Sequence, residues 1–156
     1  MSIDYELAGW FPFEAPSDEA MRIVAEILGS PSTTSTIEHG GLRVQADVPE
    51  LDEQQEIRRH LGFDGNLTLL FTPYGAEDLF AEGQRAMLRA VAALGRRGVR
   101  GMLFGDYGSD ESLILQLANG RLTLNESWIG WDGQPDLKAA VPQPYETSSL
   151  TFRQEQ

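Results

Sequence analysis

Apolar and polar residues alternate with a period of two in three stretches of the chain and recur every three or four residues in two others. The longer helical pattern covers residues 77–94. Phe80, Gly83, Met87, Val91 and Leu94 form its stripe, and Leu79, Ala86, Ala90 and Ala93 widen it, while Arg85 and Arg89 point elsewhere. Gly95 follows the last apolar position, where a left-handed residue would end the helix, with Arg96 and Arg97 near the negative end of the dipole. A mid-helix glycine costs about 1 kcal/mol against alanine, so Gly83 points to a close backbone approach at that turn.

The apolar runs at 67–71 and 101–105 read as strands on either side of this helix. Residues 112–125 read as a hairpin about Asn119-Gly120, the usual pair for a two-residue turn in which both residues take positive φ. Folding there sets Leu117 opposite Leu122, Leu115 opposite Leu124, and Gln116 opposite Thr123. A shift of one residue would mix the leucine face with the polar one, so the pattern fixes the register.

The first third repeats this order of elements without repeating the sequence. Residues 2–9 alternate Ile3, Tyr5 and Leu7 with Ser2, Asp4 and Glu6, as a half-buried strand does. Pro12 and Pro16 interrupt it. A helix follows, with Ser17 as its expected cap, Asp18 and Glu19 in its first turn, and Met21, Val24 and Leu28, with Ile23 and Ile27, on its buried stripe. Gly29 and Pro31 stop it. Residues 33–39 and 42–48 read as a second hairpin about Gly40-Gly41. Residues 50–61 are dense in charge, with Leu51, Ile57 and Leu61 as the only anchors, and fit a short surface helix or a mobile loop.

These elements predict a single α+β domain over residues 1–156, with a mostly antiparallel sheet of about six or seven strands and two main helices on one face. Residues 1–48 make a strand-helix-hairpin half and residues 67–131 a strand-helix-strand-hairpin half. The Gly/Pro-rich residues 132–156 are expected to form an extended tail across the sheet or its edge, frayed from 147 onward.

Composition narrows the function. The chain has no cysteine, which excludes disulfides, iron–sulfur clusters and thiolate zinc sites. It begins without a basic and apolar leader and has no apolar run long enough for a membrane span, so a cytoplasmic protein is expected. Its net charge of −12 opposes binding to nucleic acid and to anionic membranes. The excess is uneven: residues 1–66 carry 13 acids and 4 bases, residues 67–105 carry 3 and 5, and residues 106–156 carry 8 and 3. The charge serves solubility or attracts a basic partner.

Candidate chemistry is sparse. His39 and His60 lie near no nucleophile motif, and no HExxH, GxSxG, phosphate-binding or dinucleotide-binding pattern occurs. Residues 104–112 place Asp106, Tyr107, Asp110 and Glu111 on a turn. Their spacing is not that of an EF-hand, and they read as an exposed turn, a partner contact or a weak cation site. Trp128 and Trp131 either cover the open end of the core or anchor a partner, tryptophan being enriched in interface hot spots. Trp10, Phe11 and Phe13 pose the same choice. The partner-binding candidates are Asp106, Tyr107, Asp110, Glu111, Trp128 and Trp131; no catalytic residue, cofactor or metal is assigned.

One series of residues carries a family resemblance: Phe71 in a strand, Gly83 and Met87-Leu88-Arg89-Ala90 in the helix, and Leu103-Phe104 in the next strand. After an acidic loop come Leu113 and Leu115, then Asn119-Gly120, Arg121-Leu122-Thr123-Leu124-Asn125, Trp128, Trp131 and Pro144-Tyr145. Over residues 62–146 this resembles the SitI-type immunity proteins of contact-dependent, polymorphic toxin systems. The strand exit Thr72-Pro73-Tyr74-Gly75 departs from that pattern. The resemblance implies a cytoplasmic protein, not an enzyme, that binds and neutralises a cognate toxin; the acidic charge suits a basic toxin, and the sheet edge before the two tryptophans leaves a monomer or a homodimer open. A regulatory module of another pathway and a hydrolase built on Asp106 and Glu111 are the other function classes.

Overall fold

The computed structural model describes residues 2–31, 36–105, 112–132 and 134–153. The chain runs β1 (Tyr5–Trp10), α1 (Pro16–Leu28), β2 (Thr36–His39), β3 (Leu42–Asp47), α2 (Leu51–Leu61), β4 (Leu67–Pro73), α3 (Glu77–Arg96), β5 (Arg100–Phe104), β6 (Leu113–Ala118), β7 (Arg121–Asn125), α4 (Pro135–Ala139) and β8 (Glu146–Ser148). The strands form one sheet in the order β2-β3-β4-β1-β5-β6-β7-β8, antiparallel except where β8 runs parallel to β7. The architecture is the expected α+β one. Its eighth strand is β8, drawn from the segment after Pro144 that carries no alternating pattern.

β1 is central. Tyr5 and Leu7 face one side of the sheet and Ala8 the other, and the strand is flanked by β4 and β5, both antiparallel to it. Between β6 and β7, Asn119 and Gly120 take φ of 56° and 74°, and Leu117 pairs with Leu122, Gln116 with Thr123 and Leu115 with Leu124, the register the leucine pattern required.

α1 and α3 lie side by side on the face that carries Leu7, Leu69, Phe71, Leu103 and Leu115, forming the main core. α3 is buried almost all round: from Ala86 to Gly95 only Arg89 is exposed. Gly83 is where this helix meets the β2–β3 turn. A Cβ at Gly83 would run into the carbonyl oxygen of Gly41, whose oxygen also accepts a 2.8 Å hydrogen bond from the Tyr74 amide. The close backbone approach expected from the sequence is therefore present.

Two helix ends differ from expectation. Gly95 lies inside α3, which continues to Arg96, and Gly98, at φ 93°, makes the left-handed turn. Gly95 packs closely against the sheet: a Cβ there would stand 2.7 Å from Leu117 Cδ2 on β6, and that side chain would have to shift. At α1, Ser17 makes no cap. Pro16 is the first helical residue, where its missing N–H leaves nothing unsatisfied, and Ala15 precedes it without a side-chain cap.

The opposite face holds a second, smaller core. Residues 51–61 form the helix α2, whose Ile57 and Leu61 pack with Ala8, Met102, Phe104, Leu113 and Phe152. Leu51 does not join them and is 71% exposed. Six residues of α-helix turn it about 120° away from Ile57. The tail is less extended than expected: it contains α4, adds β8 to the sheet edge, and then carries Phe152, 4% exposed, onto the second core.

Replacing Gly83 by alanine should lower stability by about 1–3 kcal/mol despite alanine's better helix propensity, because the methyl has only backbone to displace. Urea unfolding of the two proteins measures this; an unchanged or raised midpoint would mean that the α3–turn contact gives way freely.

Candidate partner-binding site

Trp128 and Trp131 are core residues, each 7% exposed. Their rings meet edge to face at 4.7 Å, and Trp128 meets Tyr5 in the same way at 6.4 Å. Asn125, fully buried at the end of β7, holds this corner. Its carbonyl accepts the Trp131 indole N–H at 2.8 Å and the Trp128 amide at 3.1 Å. Its side chain donates to the Leu113 carbonyl at 2.6 Å and accepts from the Leu150 amide at 3.0 Å. One amide thus ties β6, the tryptophan turn and the tail together. Nearby, the Tyr5 hydroxyl is pushed above the usual phenol range by loss of water on burial, partly offset by a hydrogen bond from Gln84 at 3.4 Å. The other four sequence candidates, Asp106, Tyr107, Asp110 and Glu111, lie outside the described residues.

Among the described residues the exposed aromatic side chain is that of Trp10. It is 47% exposed, whereas its neighbour Phe11 is fully buried. The local sequence explains the division. Trp10 has the parity of Ala8 and so points to the α2 side, at the last position of β1. Pro12 then ends the strand pairing, and Asn66 replaces it. The Asn66 side chain accepts from the Phe11 amide at 2.7 Å and donates to the Phe11 carbonyl at 2.9 Å. Phe11 turns into the main core, and Trp10 is left at the rim.

Around Trp10 the end of the sheet is open. A groove of about 500 Å³ is lined by Trp10, Val48, Leu51, Gln54, Gln55, Arg58, Asp64, Gly65 and Asn66. It shares Trp10 and Asp64 with a shallower recess that reaches Phe63 and Arg100, and Val48 and Asn66 with another that reaches the start of α1. Val48 is 65% exposed, because β3 ends at Asp47 and Pro49 starts the turn into α2. Arg58 of the groove pairs with Asp64, and Arg100 of the adjoining recess sets its guanidinium 4.4 Å from the centroid of the Phe63 ring. Asp47, Glu50, Asp52 and Glu53 are exposed and make no ion pair among the described residues.

A family model described as SitI3-like matches residues 3–135, from just before β1 to the first residue of α4. The chain belongs to the SitI3-like family. No curated protein and no solved structure matches it. The matched span of this SitI3-like protein contains the whole groove and both buried tryptophans. Among the described residues there is no group of three or more histidine, aspartate or glutamate side chains arranged to hold a metal, and no helix long and apolar enough to cross a membrane.

The exposed and buried tryptophans should separate in a stability measurement. Trp128→Ala should cost about 3–5 kcal/mol, the range for emptying a large aromatic site, and Trp10→Ala less than about 1 kcal/mol. Chemical unfolding followed by circular dichroism checks both; comparable losses would mean that Trp10 is a core residue after all.

Proposed function

We propose that this SitI3-like protein is an immunity protein that neutralises a cognate bacterial toxin by binding it directly, without turnover. Family membership over most of the chain carries this reading. The net charge of −12 supports a basic toxin, since opposite charge speeds encounter and rejects wrong partners. Direct binding also suits a surface that offers a groove of mixed polarity with exposed tryptophan, valine and leucine side chains along it. The protein acts in the cytoplasm on toxin that has entered the cell, and it needs no cofactor.

The test is a contact competition between cells lacking the gene and their wild-type kin. The deletion strain should be killed or arrested on contact, and a plasmid copy of the gene should restore its survival. Deletion cells that grow among wild-type kin as well as wild type does would contradict the proposal.

A further inference from the structure

We infer that the groove bordered by Trp10, Val48 and Leu51 seats a basic segment of the protein partner, with an apolar side chain entering beside Trp10 and cationic side chains meeting the carboxylates of residues 47–53. This rests on the immunity reading and gives it a surface.

Three observations converge on this groove. Trp10, Val48 and Leu51 are three of the most exposed large apolar side chains among the described residues, and all three line the same groove, away from both cores. Water-exposed apolar side chains gathered in one place, rather than scattered, mark interaction surfaces. The surrounding charge selects the occupant. Residues 47–64 hold six acids (Asp47, Glu50, Asp52, Glu53, Glu56 and Asp64) against two arginines. Arg58 is taken up by Asp64 and Arg59 by Glu56. Asp47, Glu50, Asp52 and Glu53 are exposed and flank the lining residues Val48 and Leu51 in sequence, and with Arg58 and Arg59 paired they leave this end of the molecule net negative, which favours a cationic partner. A second copy of this chain would bring the same four carboxylates against its own, so self-association through this face is opposed. The floor is braced: the Asn66 side chain makes two hydrogen bonds to the backbone beside Trp10, and the Arg100 guanidinium stacks on Phe63 in the adjoining recess. A preformed site loses little entropy on binding.

The deletion strain of the contact competition, complemented with variants, tests the groove. One variant carries Trp10→Ser with Leu51→Ser. A second carries lysine at positions 47, 50, 52 and 53. A third, Ile129→Ser, alters a side chain as exposed as Val48 but outside the groove. Circular dichroism and thermal unfolding of the purified variants establish that each is folded. Protection should be lost with the first two and kept with the third. Full protection by the folded groove variants would overturn the groove while leaving the immunity reading intact. A deletion strain insensitive to kin would overturn both. Sedimentation of the purified protein gives a separate reading: a dimer abolished by Trp10→Ser with Leu51→Ser would assign the groove to a second copy and overturn the basic partner.

Discussion

The burial of α3 sets the rest of the structure. Over the ten residues from Ala86 to Gly95 it has one exposed side chain, Arg89, so it must be enclosed rather than merely laid on a sheet. Strands close one side, α1 a second, and α4 a third. Two glycines make the enclosure possible. Gly83 lets the helix touch the backbone of the β2–β3 turn, and Gly95 lets it sit against Leu117 of β6. These contacts lie toward opposite ends of the helix and on opposite halves of the sheet, so α3 staples the two halves across β1. Protein interiors are packed to crystal-like density; a methyl at Gly83 would meet only backbone and push the helix off the turn, while one at Gly95 would make the Leu117 side chain shift.

Such a helix writes its pattern strongly, and the elements in direct contact with it were the legible ones. The leucines of β6 and β7 alternate because one face of that hairpin supports α3, and their register could be read off residue by residue. The misreadings fall where two physical demands compete at one residue. Gly95 looked like a helix stop, and it is a packing glycine; the stop is three residues on, at Gly98. Ser17 looked like a cap, but Pro16 had already started the helix. β8 had no alternation to announce it, since a three-residue parallel edge strand with every residue exposed buries no face of its own.

The site divides in the same way. Trp128 and Trp131 were open to two readings, and burial together with the buried Asn125 makes them part of the core. Asn125 itself gave no signal, because an asparagine ending a strand usually marks a turn and its tertiary partners, Leu113 and Leu150, are 12 and 25 residues away. The groove at Trp10 was not legible: Leu51 reads as an anchor of the 50–61 segment and Val48 as the end of a strand, yet both are exposed. Leu51 is spaced six residues from Ile57, off the helical repeat, and Val48 continues the inward parity of β3 only after the strand has ended. What could not be read was that both would stand beside Trp10, since that depends on α2 crossing to the second face of the sheet. The groove exists because α2 covers the middle of that face and leaves its end bare.

We propose that this SitI3-like protein meets a toxin partner at that bare end. Amide hydrogen exchange of the purified protein, alone and saturated with the toxin it protects against, tests it most directly. Slower exchange should be confined to the end of β1, the 47–55 segment and the 63–66 turn. Protection elsewhere, for example along β8 and the Trp128–Trp131 corner, with the groove exchanging as in the free protein, would contradict it.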